Sequence, residues 1–321
     1  MAKKPILVTG SHRSGSTWVG KIIAASRDTG YIHEPFSVLS RPGICRVQFP
    51  YWFPYIFNEN DYSIRNAFRD TLDFKFSLLA EFKACKNSKE YTKAIRDCVI
   101  TTGYRISGVR PLVKDPLAFF STEWLAEEFN MDVIVLIRHP AAFASSLKIK
   151  SWSFPFSDLL NQECLIETYL YDFLPSIEKY ASEEQDIINQ AILLWNIIHH
   201  TVLIYRQKHP EWFFIRHEDL SRNPTENFHK IFHYLGLQLS SPVKQAIVHT
   251  TSSKNQKETT ANIHFVKRNS ELNIWNWKDR LTPEEIRRVY EGVNSISENF
   301  YTEQDWFKQK TDVAHSSTQQ I

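Results

Sequence analysis

The chain has 321 residues, of which 42% are hydrophobic, so it is long and apolar enough to bury a substantial core. Its 38 basic and 36 acidic residues give a net charge of +2, which is too balanced to indicate nucleic acid or a membrane surface as the main partner. The four cysteines contain no C-x-x-C pair, which argues against a disulfide framework and a zinc site. No segment approaches the roughly 18 apolar residues of a transmembrane span, and the basic start lacks a signal-peptide core. We therefore expect a cytoplasmic protein.

Apolar, β-branched segments alternate with helical patterns along the chain. The sequence predicts strands at residues 6–9, 133–137 and 212–215, and a shorter one that ends at Val113 and Lys114. Helices are predicted at residues 17–26, 63–84, 122–129, 141–149, 187–207 and 225–235. This alternation predicts an α/β fold in three layers, with a parallel sheet flanked by helices and ligands bound at the carboxyl ends of the strands.

Residues 41–103 interrupt this alternation. They contain no clear strand, and their aromatic cluster, which starts at Phe49, is broken by Pro50 and Pro54. We interpret them as a helical insertion within one domain that spans residues 1–308. The aromatic cluster either packs the insertion onto the domain, which is the favoured interpretation, or lines a substrate pocket. The polar residues 309–321 are predicted to form a disordered tail.

A glycine-bounded loop follows the first predicted strand and precedes the first helix. Gly10 and Gly15 keep the spacing of the nucleotide triphosphatase loop G-x-x-x-x-G-K-[ST], but Ser16 stands where the lysine belongs. Free N–H groups at the start of the helix still favour an anion, and Arg13 adds a permanent cation with a planar fork. The loop therefore indicates an anion site that lacks the charge specific for a triphosphate.

A second anion site is indicated after the strand at residues 133–137. The strand runs directly into Arg138, at the position where an ATPase places a magnesium-binding Asp. Ser146 lies two helical turns further on, so the guanidinium and the hydroxyl can reach one phosphate group. The pattern favours a phosphate site that requires no metal.

In combination these motifs resemble those of sulfotransferases that use 3′-phosphoadenosine 5′-phosphosulfate (PAPS), and the carbohydrate-type branch is favoured. The resemblance implies a P-loop-like sulfotransferase fold and PAPS as co-substrate, without a metal. The residues that match the family's loop for the 5′-phosphosulfate are Arg13, Ser14, Gly15, Ser16 and Thr17. Arg138 and Ser146 match the residues for the 3′-phosphate, and Lys267 and Arg268 match a late basic loop that closes over PAPS.

Further motifs occur in the order that the family leads one to expect. Residues 113–116 (VKDP) resemble its third-strand motif, and residues 214–220 (FIRHEDL) with 232–237 (FHYLGL) resemble its R-Y-E-D-L and F-L-G-L stretch. Residues 275–282 (WNWKDRLT) resemble the lead-in to a late helix. The resemblance thus extends from about residue 5 to about residue 295.

The resemblance also implies the catalytic groups. Arg13 is expected to stabilise the leaving group by charge, and Lys114 is expected to reach the transferring sulfonate. Glu34 in the segment His33-Glu34-Pro35 is the favoured general base, with His33 as its rival. Asp115 is a third candidate, although an acid before Pro116 is equally explained as a helix N-terminal residue. Alternation along an extended segment predicts that only one of His33 and Glu34 faces the site.

The expected acceptor is a hydroxyl group, with a sugar or glycoconjugate favoured over a lipid headgroup or a small phenol. Trp18 or a ring of the closing loop is a candidate for stacking on adenine. Two alternative functions remain, a P-loop kinase or NTPase and a non-catalytic nucleotide-binding protein. Ser16 in the lysine position and Arg138 in the magnesium position both disfavour the first. The sequence does not specify an oligomeric state.

Overall fold

A parallel five-stranded sheet forms the centre of the protein in the computed structural model, which describes residues 3–57, 62–251 and 274–307. The strands are β1 (Ile6–Gly10), β2 (Thr29–His33), β3 (Arg110–Lys114), β4 (Asp132–Ile137) and β5 (Phe213–Arg216). They lie in the order β2-β3-β1-β4-β5, and every neighbouring pair is parallel. The predicted parallel α/β architecture is confirmed.

Helices cover both faces of this sheet. In the described residues the first eight are α1 (Ser16–Ile23), α2 (Tyr62–Leu72), α3 (Leu78–Ala84), α4 (Ser88–Ser107), α5 (Thr122–Phe129), α6 (Pro140–Lys150), α7 (Ser157–Leu160) and α8 (Glu163–Leu165). They are followed by α9 (Leu174–Ser182), α10 (Ile187–Lys208), α11 (His217–Arg222), α12 (Pro224–Tyr234), α13 (Ser241–Thr251), α14 (Trp277–Arg280), α15 (Pro283–Ser297) and α16 (Glu303–Trp306).

The central strands are apolar on both faces because each face is covered by helices. Leu7, Val113 and Val133 belong to a cluster that includes the buried side chains of α5, α6 and α10. Ile6 and Ile134 point to the opposite face and belong to a second cluster with α1, α12 and α13. The nearly continuous hydrophobic runs of the strands are therefore the signature of a sheet buried between two helical layers.

Helix α10 is a core element of one of these layers. Among the described residues it alone is long and apolar enough to cross a membrane, and 56% of its apolar window is buried inside the domain. Leu194, Trp195 and Ile198 on this helix are fully buried. Its apolar character is thus explained by packing in the core, where it contacts α6 and α15.

The region 41–103 contains α2, α3 and most of α4. The sequence predicts one helix at residues 63–84, and this is wrong, because Phe74 interrupts it with a backbone φ of +55°. The Phe74 ring is buried and packs over Gly30 of β2 and beside Tyr104, with 5.3 Å between the two ring centroids. A tertiary contact therefore ends a helix that the apolar periodicity would continue. The single-domain assignment of residues 1–308 stays a prediction, and residues 309–321 lie outside the described residues.

The close approach of β1 and β4 generates a stability prediction. Gly10 has a φ of +126°, and a Cβ built on it would lie 2.3 Å from the carbonyl oxygen of Leu136. Gly10→Ala is expected to lower the free energy of unfolding by at least about 2 kcal/mol, because backbone strain and overpacking both oppose it. Urea denaturation followed by circular dichroism measures the change.

Gly103→Ala is the matched control for this substitution. Gly103 lies within helix α4, and a Cβ there would meet none of the described atoms within 4 Å. Alanine is expected to stabilise this helix by about 0.5 to 1 kcal/mol. Equal effects of the two substitutions would contradict the close approach at Gly10.

Candidate active site

The loop between β1 and α1 is shaped by three residues in the left-handed backbone region. Gly10, Arg13 and Gly15 have φ values of +126°, +65° and +96°. A Cβ on Gly15 would lie 2.4 Å from Nδ1 of His217, the residue that follows β5. The two glycines therefore let the loop pack tightly against the ends of both β4 and β5.

This loop has the polar groups that an anion requires. The side-chain oxygens of Ser11 and Ser14 are buried, and neither forms a hydrogen bond within the described residues. Helix α1 begins at Ser16 with no acidic residue in its first turn, and Gly15 provides no side-chain cap. Buried hydroxyls and free helix N–H groups at one point fit an anionic group, because each of these donors otherwise lacks a partner. Ser16 is buried there and Thr17 is half-buried.

The two predicted anion sites meet through Arg13. Its Nε donates a hydrogen bond of 2.8 Å to the Oγ of Ser146 on α6, the helix that follows Arg138. The guanidinium carbon of Arg13 also lies 5.6 Å from the centroid of the Trp152 ring. The side chain therefore spans from the first loop to the second.

Arg138 lies at the carboxyl end of β4 and is only 9% exposed. Its Nε is 3.7 Å from Oε1 of Glu218, and its carbonyl oxygen accepts a 2.8 Å hydrogen bond from Nε1 of Trp195. Burial lowers the pKa of the Arg138 guanidinium, and the Glu218 carboxylate opposes this shift. The cation is thus held rigidly in a site with little solvent.

Glu218 and Tyr301 are site residues that the sequence reasoning missed. Glu218 is 1% exposed, and its carboxylate accepts hydrogen bonds from the backbone N–H of His139 at 3.2 Å and from the Tyr301 hydroxyl at 2.9 Å. Burial and the neighbouring Glu218 raise the pKa of Tyr301 well above its usual value, so the phenol remains a donor. The sequence did contain a signal for Glu218, because this acid lies in the stretch His217-Glu218-Asp219, but the stretch was interpreted only as a family motif.

Two tryptophans of residues 274–307 pack against His139, the residue that follows Arg138. The His139 ring is buried, stacks on Trp277 at 5.2 Å between centroids, and meets the edge of Trp306 at 4.4 Å. Burial lowers the pKa of His139 to about 3, so the ring is neutral. We interpret His139 as a packing residue that connects the end of β4 to residues 274–307.

A second charged pair lies on the other side of β1. The ammonium group of Lys114, at the end of β3, forms an ion pair with Oε1 of Glu34, and the Glu34 N–H donates a 2.9 Å hydrogen bond to the Lys114 carbonyl. The Lys114 side chain is 1% exposed and that of Glu34 is 27% exposed. Burial lowers the pKa of Lys114, whereas the Glu34 carboxylate opposes this shift. The Glu34 carboxylate is therefore partly exposed to solvent, whereas the Lys114 cation with which it pairs is buried.

The predicted alternation of His33 and Glu34 is wrong. Glu34 leaves the strand with a φ of +46°, so the two side chains do not point to opposite faces. The Nε2 of His33 lies 3.9 Å from Oε2 of Glu34, and its Nδ1 lies 3.5 Å from the hydroxyl of Tyr31. The two candidate bases therefore lie next to each other at the carboxyl edge of the sheet.

Asp115 occupies a different environment from Glu34. It is fully buried, and its carboxylate accepts hydrogen bonds from the N–H of Phe36 at 2.6 Å and from that of Leu117 at 2.9 Å. Burial, reinforced by the Glu34 charge, raises the pKa of Asp115 to about 7. These contacts favour the structural interpretation, in which Asp115 fixes the turn that carries Glu34.

The remaining candidates are Trp18, Lys267 and Arg268. Trp18 is 8% exposed and donates a 3.1 Å hydrogen bond from Nε1 to Oγ1 of Thr250, while its ring meets the edge of Phe228 at 5.3 Å. Its indole packs α1 against α12 and α13 and also meets the edge of the His217 ring at 5.6 Å, so its role in stacking on adenine stays a prediction. Lys267 and Arg268 lie outside the described residues.

Comparisons with known proteins give one family model and several similar solved structures. A family model described as a sulfotransferase domain matches residues 3–302. Similar solved structures include a sulfotransferase domain from the curacin biosynthetic pathway, with 15% identity, a TM-score of 0.47, and coverage of 91% of this chain and 98% of that one. The mouse sulfotransferase SULT7A1 complexed with PAP has 14% identity, a TM-score of 0.43, and coverage of 94% and 86%. No curated protein sequence matches this chain significantly.

The family model spans nearly the whole chain, and it includes both anion-site loops and both charged pairs at the ends of the strands. The protein therefore belongs to the sulfotransferase domain family, whose members transfer sulfuryl groups.

Proposed function

We propose that the protein transfers the sulfuryl group of PAPS to a hydroxyl group of a carbohydrate acceptor. The hydrogen bond between Arg13 and Ser146 carries this proposal, because it joins two anion-binding loops on the neighbouring strands β1 and β4. PAPS has negative charge at both its 5′ and its 3′ positions. Two cationic loops side by side suit such a donor better than a nucleotide that is phosphorylated at one end only.

The loop after β1 is proposed to bind the 5′-phosphosulfate. When bound, PAPS supplies an activated sulfuryl group whose departure leaves negative charge on the 5′-phosphate. The guanidinium of Arg13, the hydroxyls of Ser16 and Thr17, and the free N–H groups at the start of α1 are oriented donors for that charge. Arg13 remains protonated at every physiological pH, so it acts by charge and not as a proton donor.

Arg138 and Ser146 are proposed to bind the 3′-phosphate. Glu218 sits on the Nε side of Arg138, which leaves the other guanidinium donors for an anion. The Tyr301 hydroxyl and the His139 N–H fix the Glu218 carboxylate in turn. Glu218 and Tyr301 are therefore proposed as positioning residues for the phosphate-binding guanidinium.

Glu34 is proposed as the general base. Lys114 binds its Oε1, which leaves Oε2 available to take the proton from the acceptor hydroxyl. The Lys114 cation lies buried behind Glu34 and is proposed to add positive charge near the transferring sulfuryl group. His33, whose Nε2 lies 3.9 Å from Oε2 of Glu34, remains the rival base.

A carbohydrate acceptor is supported by the surroundings of the first loop. The Trp152 ring lies beside Arg13 and is 38% exposed, which gives a partly open aromatic surface next to the proposed sulfuryl site. Such rings pack well against the apolar faces of ring-shaped ligands. His12 of the loop contacts Phe53, so the insertion also borders this surface.

We propose that the reaction takes place in the cytoplasm and needs no metal, since Arg138 supplies the charge at the end of β4.

Glu34→Gln is expected to lower kcat by about 100-fold or more while the KM for PAPS changes little, because the amide cannot accept the proton. His33→Asn is the matched variant and is expected to change kcat by less than about threefold. Transfer of labelled sulfate from PAPS to a panel of carbohydrate acceptors provides the measurement. The reverse ranking of the two variants would assign the base to His33.

Calorimetric titration tests the two-site donor. Adenosine 3′,5′-bisphosphate is expected to bind more tightly than adenosine 5′-monophosphate, and Arg138→Ala is expected to abolish this preference with a loss of about 2 to 5 kcal/mol. Tyr301→Phe removes only the hydroxyl that holds Glu218 and is expected to weaken the preference less. Equal affinity of the wild-type protein for the two nucleotides would refute the proposed donor.

Thermal unfolding distinguishes the proposal from a P-loop kinase or NTPase. Adenosine 3′,5′-bisphosphate at 100 times its Kd is expected to stabilise the protein by about 2.7 kcal/mol. ATP with magnesium is expected to give a much smaller shift at the same concentration, because Ser16 replaces the lysine of the triphosphate loop. A larger shift with ATP and magnesium, accompanied by hydrolysis, would favour the alternative.

A further inference from the structure

Helix α4 presents a stripe of apolar side chains to solvent. Of its 20 residues, all of which the structure describes, Ala94 alone is buried. Ile95, Val99 and Ile106 are 51%, 66% and 82% exposed, and Tyr91 extends the stripe toward the start of the helix. The spacings of four, four and seven residues place these side chains on one face. A contiguous exposed apolar face of this kind indicates an interaction surface.

The opposite face of α4 is fixed to the domain. The Tyr104 ring packs over Gly30 of the edge strand β2, and Asp97 forms an ion pair with Arg41, which also binds Glu81 of α3. Because these contacts fix the helix at its middle and near its C-terminal end, it cannot rotate to bury its outer face. The stripe is therefore a permanent feature of the outer surface.

Basic residues border the apolar stripe. Residues 78–107 contain six Lys or Arg and three Asp or Glu, a net charge of +3 against +2 for the whole chain. The helical period places Lys89 and Arg96 on one flank of the stripe and Arg105 on the other, and all three are exposed.

The acidic residues of this segment are turned away from the stripe. Glu81 is buried and paired with Arg41, and Asp97 is paired with Arg41 and with Arg96. Glu90 binds the backbone at the start of the helix through the N–H of Lys86. The outward face of α4 is thus apolar along its centre and positive along its edges.

We propose that this face of α4 lies on an anionic lipid membrane surface. Apolar side chains in the centre of an interfacial helix enter the acyl boundary, while flanking Lys and Arg side chains extend to the lipid phosphates. A second copy of the chain suits the face less well, because antiparallel pairing about a twofold axis brings the basic flanks of the two helices together. The proposal is independent of the donor and the acceptor.

Vesicle sedimentation of the full-length protein tests this surface. The protein is expected to sediment with vesicles of phosphatidylcholine that contain about 30 mol% phosphatidylglycerol, and not with pure phosphatidylcholine. Lys89→Glu with Arg105→Glu is expected to lower the partition coefficient at least about 20-fold, since each basic side chain near such a surface contributes a factor of about five. Ile95→Ser with Val99→Ser and Ile106→Ser is expected to lower it about tenfold or more.

Matched controls come from helix α13. Val248 is 65% exposed and Lys244 is exposed, so Val248→Ser and Lys244→Glu make the same chemical changes elsewhere and are expected to leave the partition unchanged. Binding of adenosine 3′,5′-bisphosphate, measured on every variant, reports separately on folding and on the proposed donor site. No binding to the anionic vesicles, or equal losses in the α4 and α13 variants, would overturn the proposal. A dimer in lipid-free solution that the α4 serine substitutions dissociate would assign the face to a second copy instead.

Discussion

The pairing of β1 with β4 is the constraint on which the rest of the site depends. In their register Gly10 lies opposite Leu136, and the missing Cβ of Gly10 is what allows the two chains to approach at this point. The loop that follows Gly10 is therefore directed across the end of β4. This geometry lets Arg13 reach Ser146 on α6, the helix that follows β4. For the same reason Gly15 packs against His217. An anion bound by one loop is thereby close to the donors of the other.

The strands on either side of β1 each end in a buried cation paired with one carboxylate. Lys114 of β3 is paired with Glu34, and Arg138 of β4 is paired with Glu218. Removing one partner of a fully buried ion pair costs about 3 to 5 kcal/mol, so each carboxylate stabilises the cation next to it. The two pairs differ in exposure, since the Glu218 side chain is 2% exposed and that of Glu34 is 27% exposed. Burial suits a residue that orients a neighbouring group, whereas exposure suits one that exchanges a proton with a ligand.

The sequence predicted those parts of the site that depend on local pattern. Glycine spacing and an arginine at the end of a strand were enough to find Arg13 and Arg138, because parallel strands bring their carboxyl ends to one edge. Glu218 and Tyr301 were missed, since their hydrogen bond joins residues 83 positions apart and leaves no periodic signal. The break at Phe74 and the left-handed backbone of Glu34 were missed for a related reason. Both arise from contacts with neighbouring strands and not from the propensity of the residues themselves.

Whole-chain charge concealed the basic character of one edge of the molecule. A net charge of +2 argues against a charged partner surface for the protein as a whole, but it averages over residues 78–107, where basic residues outnumber acidic ones by three. Helix α4 packs through Tyr104 on one face of the edge strand β2, and this placement turns the opposite face of the helix outward. Glu34, the candidate catalytic carboxylate, directly follows this same strand. A partner bound along α4 would therefore lie on the side of the molecule where the proposed base is located.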